Sequence, residues 1–293
     1  MTIHIEPFFD SRTSTWSYVV HTNDAPQAVV IDPVLDFDSK SGRVWTESVE
    51  RLSGYLQSKG LRLEWVLETH AHADHLSAAH WLRERFGARV GIGAEICRVQ
   101  KVFAGIFNLG PGFATDGRPF DALFHDGQVL EAGPLRIEVL HVPGHTPADV
   151  AYRVEDAVFV GDTLFMPDVG TARADFPGGD AHMLYRSIRR LLSLPGETRL
   201  FLCHDYPPGE RAPCGVTTVA AQRAHNIHVR DGIGEDEFVA MRSARDATLE
   251  MPALLLPSIQ VNIRAGELPE REPNGRRYLK LPLNAFGAPG WDG

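Results

Sequence analysis

Thr69-His70-Ala71-His72-Ala73-Asp74-His75 sets three imidazoles and a carboxylate within six residues. Imidazole and carboxylate together suit zinc, iron or manganese, and no Cys adjoins the loop, which argues against a soft thiolate site. Residues 63–68 just before it read as a strand. After it, Asp74 can cap a helix that carries Leu76, Ala79, Leu82 and Phe86 on one side and ends at Gly87.

Outward from this loop, three more metal-type residues stand just past predicted strands. His145 follows the strand 135–142 through Pro143-Gly144, Asp162 follows 157–160, and His204 follows 198–203. Open α/β sheets place their ligand sites at such carboxyl ends. Four strand ends that all deliver metal-type residues predict one shared centre. His4, His21, His80, His125, His141, His182 and His228 have no such context and read as surface or core residues, as does His225 in Arg223-Ala224-His225-Asn226.

Early hairpins are expected from the aromatic and β-branched run 16–21 and the apolar run 28–31 that ends at Asp32-Pro33. Val49, Leu52 and Leu56 before Gly60 predict an amphipathic helix, and residues 88–93 a further strand. Residues 101–119 carry no clear period. The stretch 150–160 is strand-like, and Asp180 caps a helix with Leu184, Ile188, Leu191 and Leu192 at 3.6 spacing. Strands that come both as hairpins and in alternation with helices predict a layered α/β sandwich of mixed sheets.

Beyond about Gly215 the character changes, with a helix expected at 236–249 and then a tail punctuated by Pro252, Pro257, Pro269, Pro273 and Pro282. Leu254, Leu255, Leu256, Ile259, Val261 and Ile263 are too much apolar surface to leave in water. Residues 216–293 are therefore expected as an extension wrapped on a core of residues 1–215.

At 293 residues, 43% hydrophobic and 23% charged, the chain can bury a large core. Its net charge of -9 and the lack of a basic cluster disfavour nucleic acid and anionic membrane. No apolar run approaches 18 residues, and the first ten residues have no basic-then-apolar pattern, so a cytoplasmic protein is expected. Cys97, Cys203 and Cys214 form neither a disulfide framework nor a C-x-x-C pair, and read as free thiols in a reducing compartment.

The T-H-x-H-x-D-H loop, His145 in Pro143-Gly144-His145-Thr146, Asp162 in Gly161-Asp162-Thr163-Leu164, and His204 together resemble the metallo-β-lactamase superfamily. The resemblance implies an αββα four-layer sandwich with a metal site at one edge between two mixed sheets. The superfamily serves many reactions, so the fold alone names none. Gly170-Thr171-Ala172-Arg173-Ala174-Asp175-Phe176, His204-Asp205-Tyr206 and Val261-Asn262-Ile263-Arg264 resemble segments of persulfide dioxygenases.

That likeness implies oxidation of glutathione persulfide by molecular oxygen to sulfite and glutathione at one ferrous iron per chain. The implied ligands are His70, His145 and Asp162, a face of two imidazoles and one carboxylate that leaves room for substrate and oxygen. His72, Asp74, His75 and His204 become hydrogen-bond partners or pocket lining. Arg173 and Arg264 are expected near the glutathione carboxylates, although Arg173 could equally pair with Asp175, and Tyr206 is expected as a hydrogen-bond donor. Ala265 stands where mitochondrial members carry a Cys, and the long C-terminal end resembles bacterial members that use it at a homodimer interface.

The alternative is a glyoxalase II-like thioester hydrolase with two metal ions, zinc among them, bridged by Asp162. In that arrangement His70, His72 and His145 hold one ion and Asp74, His75 and His204 the other, and the pair activates water. No basic helical C-terminal domain for glutathione is visible to support it. A non-catalytic metal-binding protein is disfavoured because no ligand position has drifted. A lactamase role is disfavoured because zinc lactamases place a Cys where Asp162 stands.

Overall fold

The structure is a computed structural model that describes residues 2–286. The first half of the chain runs β1 (Ile3–Asp10), β2 (Thr15–Thr22), β3 (Gln27–Ile31), β4 (Val34–Asp38), β5 (Arg43–Trp45), α1 (Glu47–Ser58), β6 (Arg62–Leu67), β7 (Leu76–Ser77), α2 (Ala79–Phe86), β8 (Arg89–Gly93), α3 (Ile96–Ile106) and β9 (Ala122–Phe124). The second half runs β10 (Val129–Ala132), β11 (Leu135–His141), β12 (Val150–Val154), β13 (Ala157–Phe159), α4 (Ala181–Leu191), β14 (Arg199–Phe201), β15 (Val216–Thr218), α5 (Val219–His225), α6 (Glu235–Asp246) and α7 (Leu255–Asn262).

Two six-stranded sheets result, in the orders β1-β2-β3-β6-β8-β9 and β10-β11-β12-β13-β14-β15. Hairpins start each sheet and parallel pairs continue it, β3 with β6 and β6 with β8 in the first, β13 with β14 in the second. Each sheet is therefore mixed. Between them lies a core of Val20, Val29, Leu67, Ile137, Tyr152 and Phe159. The outer face of the first sheet is covered by α1, α2 and α3 through Leu52, Leu56, Leu82 and Phe103, and that of the second by α4 and α6 through Leu184, Ile188 and Phe238. This is the expected αββα sandwich.

α7 joins the first of these cores. Leu255, Ile259, Val261 and Ile263 are buried in the same cluster as Val66, Leu76 and Ala79. Removing four large aliphatic side chains from water contributes roughly 6–12 kcal/mol before entropy, enough to hold a helix of eight residues against the sandwich.

Three local expectations change. The strand-like stretch 150–160 is a hairpin, with Val154 opposite Ala157 and Glu155 in the left-handed region at φ 55°. Asp74 caps no helix: Leu76-Ser77 pairs with Val34-Leu35 as a short strand, and α2 begins at Ala79 without a side-chain cap. The carboxylate is engaged by histidines instead. Within 101–119, α3 extends to Ile106. Among the described residues no helix is long and apolar enough to cross a membrane.

Candidate metal centre

The seven ligand-type residues converge where both sheets end, and each imidazole is oriented by a partner on its other nitrogen. Asp32, at φ 48°, accepts from the Thr69 amide at 2.8 Å, from Thr69 Oγ1 at 2.9 Å and from His72 Nε2 at 3.0 Å. Because Thr69 Oγ1 donates to Asp32, it accepts from His70 Nδ1 at 3.1 Å. His145 Nδ1 donates to the Arg173 carbonyl at 2.8 Å, His75 Nδ1 to Asp74 at 3.3 Å, and His204 Nδ1 to the Ser14 carbonyl at 3.3 Å. A carboxylate or carbonyl on one ring nitrogen fixes the tautomer and frees the other nitrogen's lone pair.

Two glycines make the approach possible. A Cβ on Gly161 (φ 54°) would meet Thr69 Oγ1 at 2.7 Å, and one on Gly144 (φ 146°) would meet the Leu184 backbone at 2.3 Å. These contacts set Asp162 and His145 close to the histidine loop and to α4. The loop is also tied across the sandwich, since the Val150 amide donates to the Thr69 carbonyl and Tyr152 Oη to the Glu68 carbonyl at 2.8 Å.

His70 Nε2, His72 Nδ1, His75 Nε2 and Asp162 Oδ1 are buried and have no hydrogen-bond partner. Buried polar atoms are rarely left so. His70 Nε2 and His145 Nε2 each lie 3.8 Å from Asp162 Oδ2. That is too long for a hydrogen bond, but it lies within the span of two donors on one ion at about 2.0–2.2 Å each. Burial, then His72 and His145, push His70 well below the ordinary histidine range, and burial, then His72, brings His75 to about 4. Both imidazoles are neutral at pH 7, the form in which histidine binds a metal. Burial pushes Asp162 upward, a cost that a cation beside it would remove. The donor set therefore fits a divalent metal.

Ligand atoms fall into unequal groups. His70, His145 and Asp162 form one, and His72, Asp74, His75 and His204 another, with all atoms of a group within 4.8 Å. His72 thus sides with the second group; Asp32 (3.0 Å) and Glu68 (3.3 Å) hold its Nε2, which leaves Nδ1 for the centre. In the second group His204 Nε2 lies 2.9 Å from Asp74 Oδ2. Despite burial, Asp162 and Asp74 raise His204 well above its ordinary range, and His204 holds Asp74 well below its own.

A cavity of about 660 Å³ opens over the centre, with Asp74, His145, Asp162 and Tyr206 in its lining and Phe165, Ile227 and Leu254 on its apolar side. Tyr206 Oη donates to Asp74 Oδ2 at 3.4 Å, and its ring stacks on His204. A phenol is protonated at neutral pH, so it remains a donor. Four arginines reach the lining. Arg12 pairs with Asp36 and Glu47, Arg242 with Asp246, and Arg173 with Asp175 at 2.5 and 2.8 Å, the structural alternative anticipated for it. Arg245 makes no ion pair or side-chain hydrogen bond among the described residues.

Arg264 does not line this cavity. Its guanidinium sits 4.5 Å over the Phe113 ring. Arg264 lies past the end of α7, whereas Asn262, the last residue of that helix, faces the histidine loop. It donates to the His72 and His75 carbonyls, both at 2.8 Å, and accepts from the Ser77 amide at 2.8 Å. The signal for Asn262 was a lone amide in an apolar run. Arg242 and Asp246 carried an i,i+4 signature, and Arg245 carried none. Cys203 also corrects the expectation of a site without nearby sulfur: its Sγ lies within 4.8 Å of both the Asp162 and the His204 ligand atoms.

The model of the metallo-beta-lactamase superfamily matches residues 11–204, the span that carries all seven ligand-type residues described above. The chain belongs to this superfamily. Within it, the chain is 55% identical over 292 residues to a probable metallo-hydrolase of Burkholderia pseudomallei, covering 96% of this chain and 99% of that one. It is 48% identical over 282 residues to Glyoxylase B2 of Dictyostelium discoideum, covering 96% and 97%. Human mitochondrial persulfide dioxygenase ETHE1 is 27% identical over 267 residues, covering 90% and 89%. Among solved structures of the superfamily, ETHE1 from Myxococcus xanthus superposes with a TM-score of 0.72 at 31% identity, covering 90% of this chain and 100% of that one.

Proposed function

We propose that this chain is a persulfide dioxygenase that takes glutathione persulfide and O2 to sulfite and glutathione with one ferrous iron on His70, His145 and Asp162. The observation that carries this is the inequality of the two ligand groups. Asp162 Oδ2 stands 3.8 Å from both His70 Nε2 and His145 Nε2 with no hydrogen bond between them, whereas His204 and Asp74 approach each other at 2.9 Å. One half is arranged as a three-ligand face, and the other is paired within itself. Two imidazoles and a carboxylate with open positions are the ligand set of non-haem iron oxygenases. The likeness to ETHE1 proteins supports the same reading.

Iron bound there supplies the path by which spin-paired sulfur reacts with triplet oxygen. The residues around it bind and orient. Arg245 offers an unpaired guanidinium for a glutathione carboxylate. Tyr206 Oη can turn from Asp74 to donate to the persulfide sulfur, and Phe165 and Leu254 restrict water. The Arg173 side chain holds its loop, and the carbonyl of the same residue orients His145.

The second reading is a two-metal thioester hydrolase. The four-residue group on His72, Asp74, His75 and His204 and the hydrolase and glyoxylase names of close relatives favour it. Metal counts on two variants separate the readings. For the dioxygenase, Asp162→Ala loses iron and His204→Ala keeps about one per chain. Equal loss from both, starting from two metals, favours the hydrolase.

A further inference from the structure

Behind the cavity wall, Arg211 ties together two of the loops that form it, those of Asp168 and Tyr206. Its Nη1 and Nη2 each donate to an Asp205 oxygen at 2.7 Å, and its Nε and Nη2 donate to the two Asp168 oxygens at 2.7 and 3.0 Å. Asp205 is fully enclosed, so its charge is tenable only with such partners, to which the Cys214 amide adds a third bond at 2.7 Å. His204 pairs with Thr15 as a β-bridge, and along an extended segment alternate side chains face opposite ways. His204 and Tyr206 accordingly stack on each other, while Asp205 between them points away into the grip of Arg211. The Asp168 arm reaches the loop of Phe165, whose ring meets Tyr206 edge-on at 5.7 Å and His204 at 6.3 Å.

We propose that Arg211 is a positioning residue that sets Tyr206 for its part in the reaction, through Asp205 on one side of the ring and through Asp168 and Phe165 on the other. It rests on the persulfide reading, in which the Tyr206 hydroxyl donates to the substrate sulfur. Tyr206 has little of its own to hold it. Its side chain is exposed (46%), two prolines follow it, and among the described residues its hydroxyl bonds only to Asp74, at 3.4 Å. The ring keeps its place because its backbone and its two ring neighbours are fixed from outside the cavity. On the inner edge of the segment the Asp205 amide donates to the Ser14 carbonyl at 3.3 Å, and on the outer edge the Asp205 carboxylate is held by Arg211. A planar guanidinium fork serves two carboxylates at once, whereas a lysine ammonium is a single point charge that cannot reproduce that geometry. Loss of the fork therefore frees both loops, and the Tyr206 donor drifts from the substrate position.

Fluorine NMR on protein labelled with 3-fluorotyrosine reads the ring without substrate. Among the six tyrosines, the resonance missing from Tyr206→Phe belongs to Tyr206. Arg211→Lys should move that resonance and leave those of the buried Tyr18 and Tyr152 in place. Asp168→Asn releases only the more exposed arm, so it should act in the same direction by less, and it decides the matter where Arg211→Lys does not fold. In iron-loaded protein, Arg211→Lys should keep the iron count and lower kcat/KM about tenfold, the low end for groups that orient others. In a Tyr206→Phe background the same substitution should change kcat/KM by less than about twofold, within the error of such a cycle. An arginine that only held the fold would give the same loss in both backgrounds. That result, or a Tyr206 resonance unmoved in the folded variants, overturns the inference and leaves the dioxygenase reading standing. A Tyr206 resonance that depends on Arg211 in protein that consumes no oxygen with glutathione persulfide keeps the positioning of Tyr206 and sinks the dioxygenase reading.

Discussion

Arg245 is the one guanidinium in the cavity lining that the described residues leave unpaired, so its substitution isolates substrate recognition from folding. A charge-assisted bond to a carboxylate contributes about 1.5–3 kcal/mol, so Arg245→Ala should raise KM for glutathione persulfide roughly tenfold or more. The value of kcat should change little. An unchanged KM would remove Arg245 from recognition. Tyr206→Phe keeps the ring on His204 and removes only the donor, so it should lower kcat/KM with the iron count intact. The ligands were legible as residues because imidazoles after strand ends have few other uses. Arg245, Asn262 and Cys203 were not, since a lone arginine, amide or thiol takes its meaning from what folding brings beside it.

Two helices from the C-terminal part hold the site's loops. Asn262 on α7 ties the His72 and His75 carbonyls to the Ser77 amide, and truncation leaves three buried polar groups unpartnered. At about 1–3 kcal/mol for each, Asn262→Ala should cost several kcal/mol in urea unfolding and weaken iron about 10–100-fold. Iron affinity equal to the parent's would contradict the clamp. On α6, Asp246 binds Arg242 and the Ala174 amide, and Arg242 binds the Thr171 carbonyl. Breaking this buried pair from either side should cost about 3–5 kcal/mol, with the double variant little worse than either single one.

The same loop supplies a pH dependence. His228 Nδ1 accepts from the Thr171 amide at 3.0 Å, and burial, then Arg242 and Arg245, bring its pKa from 6.5 to about 4. The folded state keeps this imidazole neutral, so its contribution is fully present above 6.5 and is lost as pH falls toward 4. The loss is at most on the order of 3 kcal/mol, and thermal melts across that range should show a steeper decline in the parent than in His228→Gln. These elements explain why sequence patterning succeeded unevenly. Amphipathic α1 and α4 announce themselves by period, and Asp180 caps α4 as its position suggests. The Leu76-Ser77 strand is too short to show a period, and the Glu155-Asp156 turn has neither Gly nor Pro to mark it between two strand-like runs.

Over the whole molecule, two mixed sheets that end at one edge bring His70, His145 and Asp162 onto one ion-sized space. The sandwich was foreseeable from alternating hairpins and helices together with the ligand order. The direction of each oxygen of Asp162 was not, because it depends on the close approach of Gly161 to Thr69 across layers. We propose an oxygenase reaction on a persulfide at this edge. Its most direct test is oxygen uptake by anaerobically purified protein of known metal content on addition of glutathione persulfide. The expected result is about one iron per chain, with one O2 consumed and one sulfite released for each persulfide. Two zinc ions per chain, no oxygen uptake and hydrolysis of S-lactoylglutathione would contradict it.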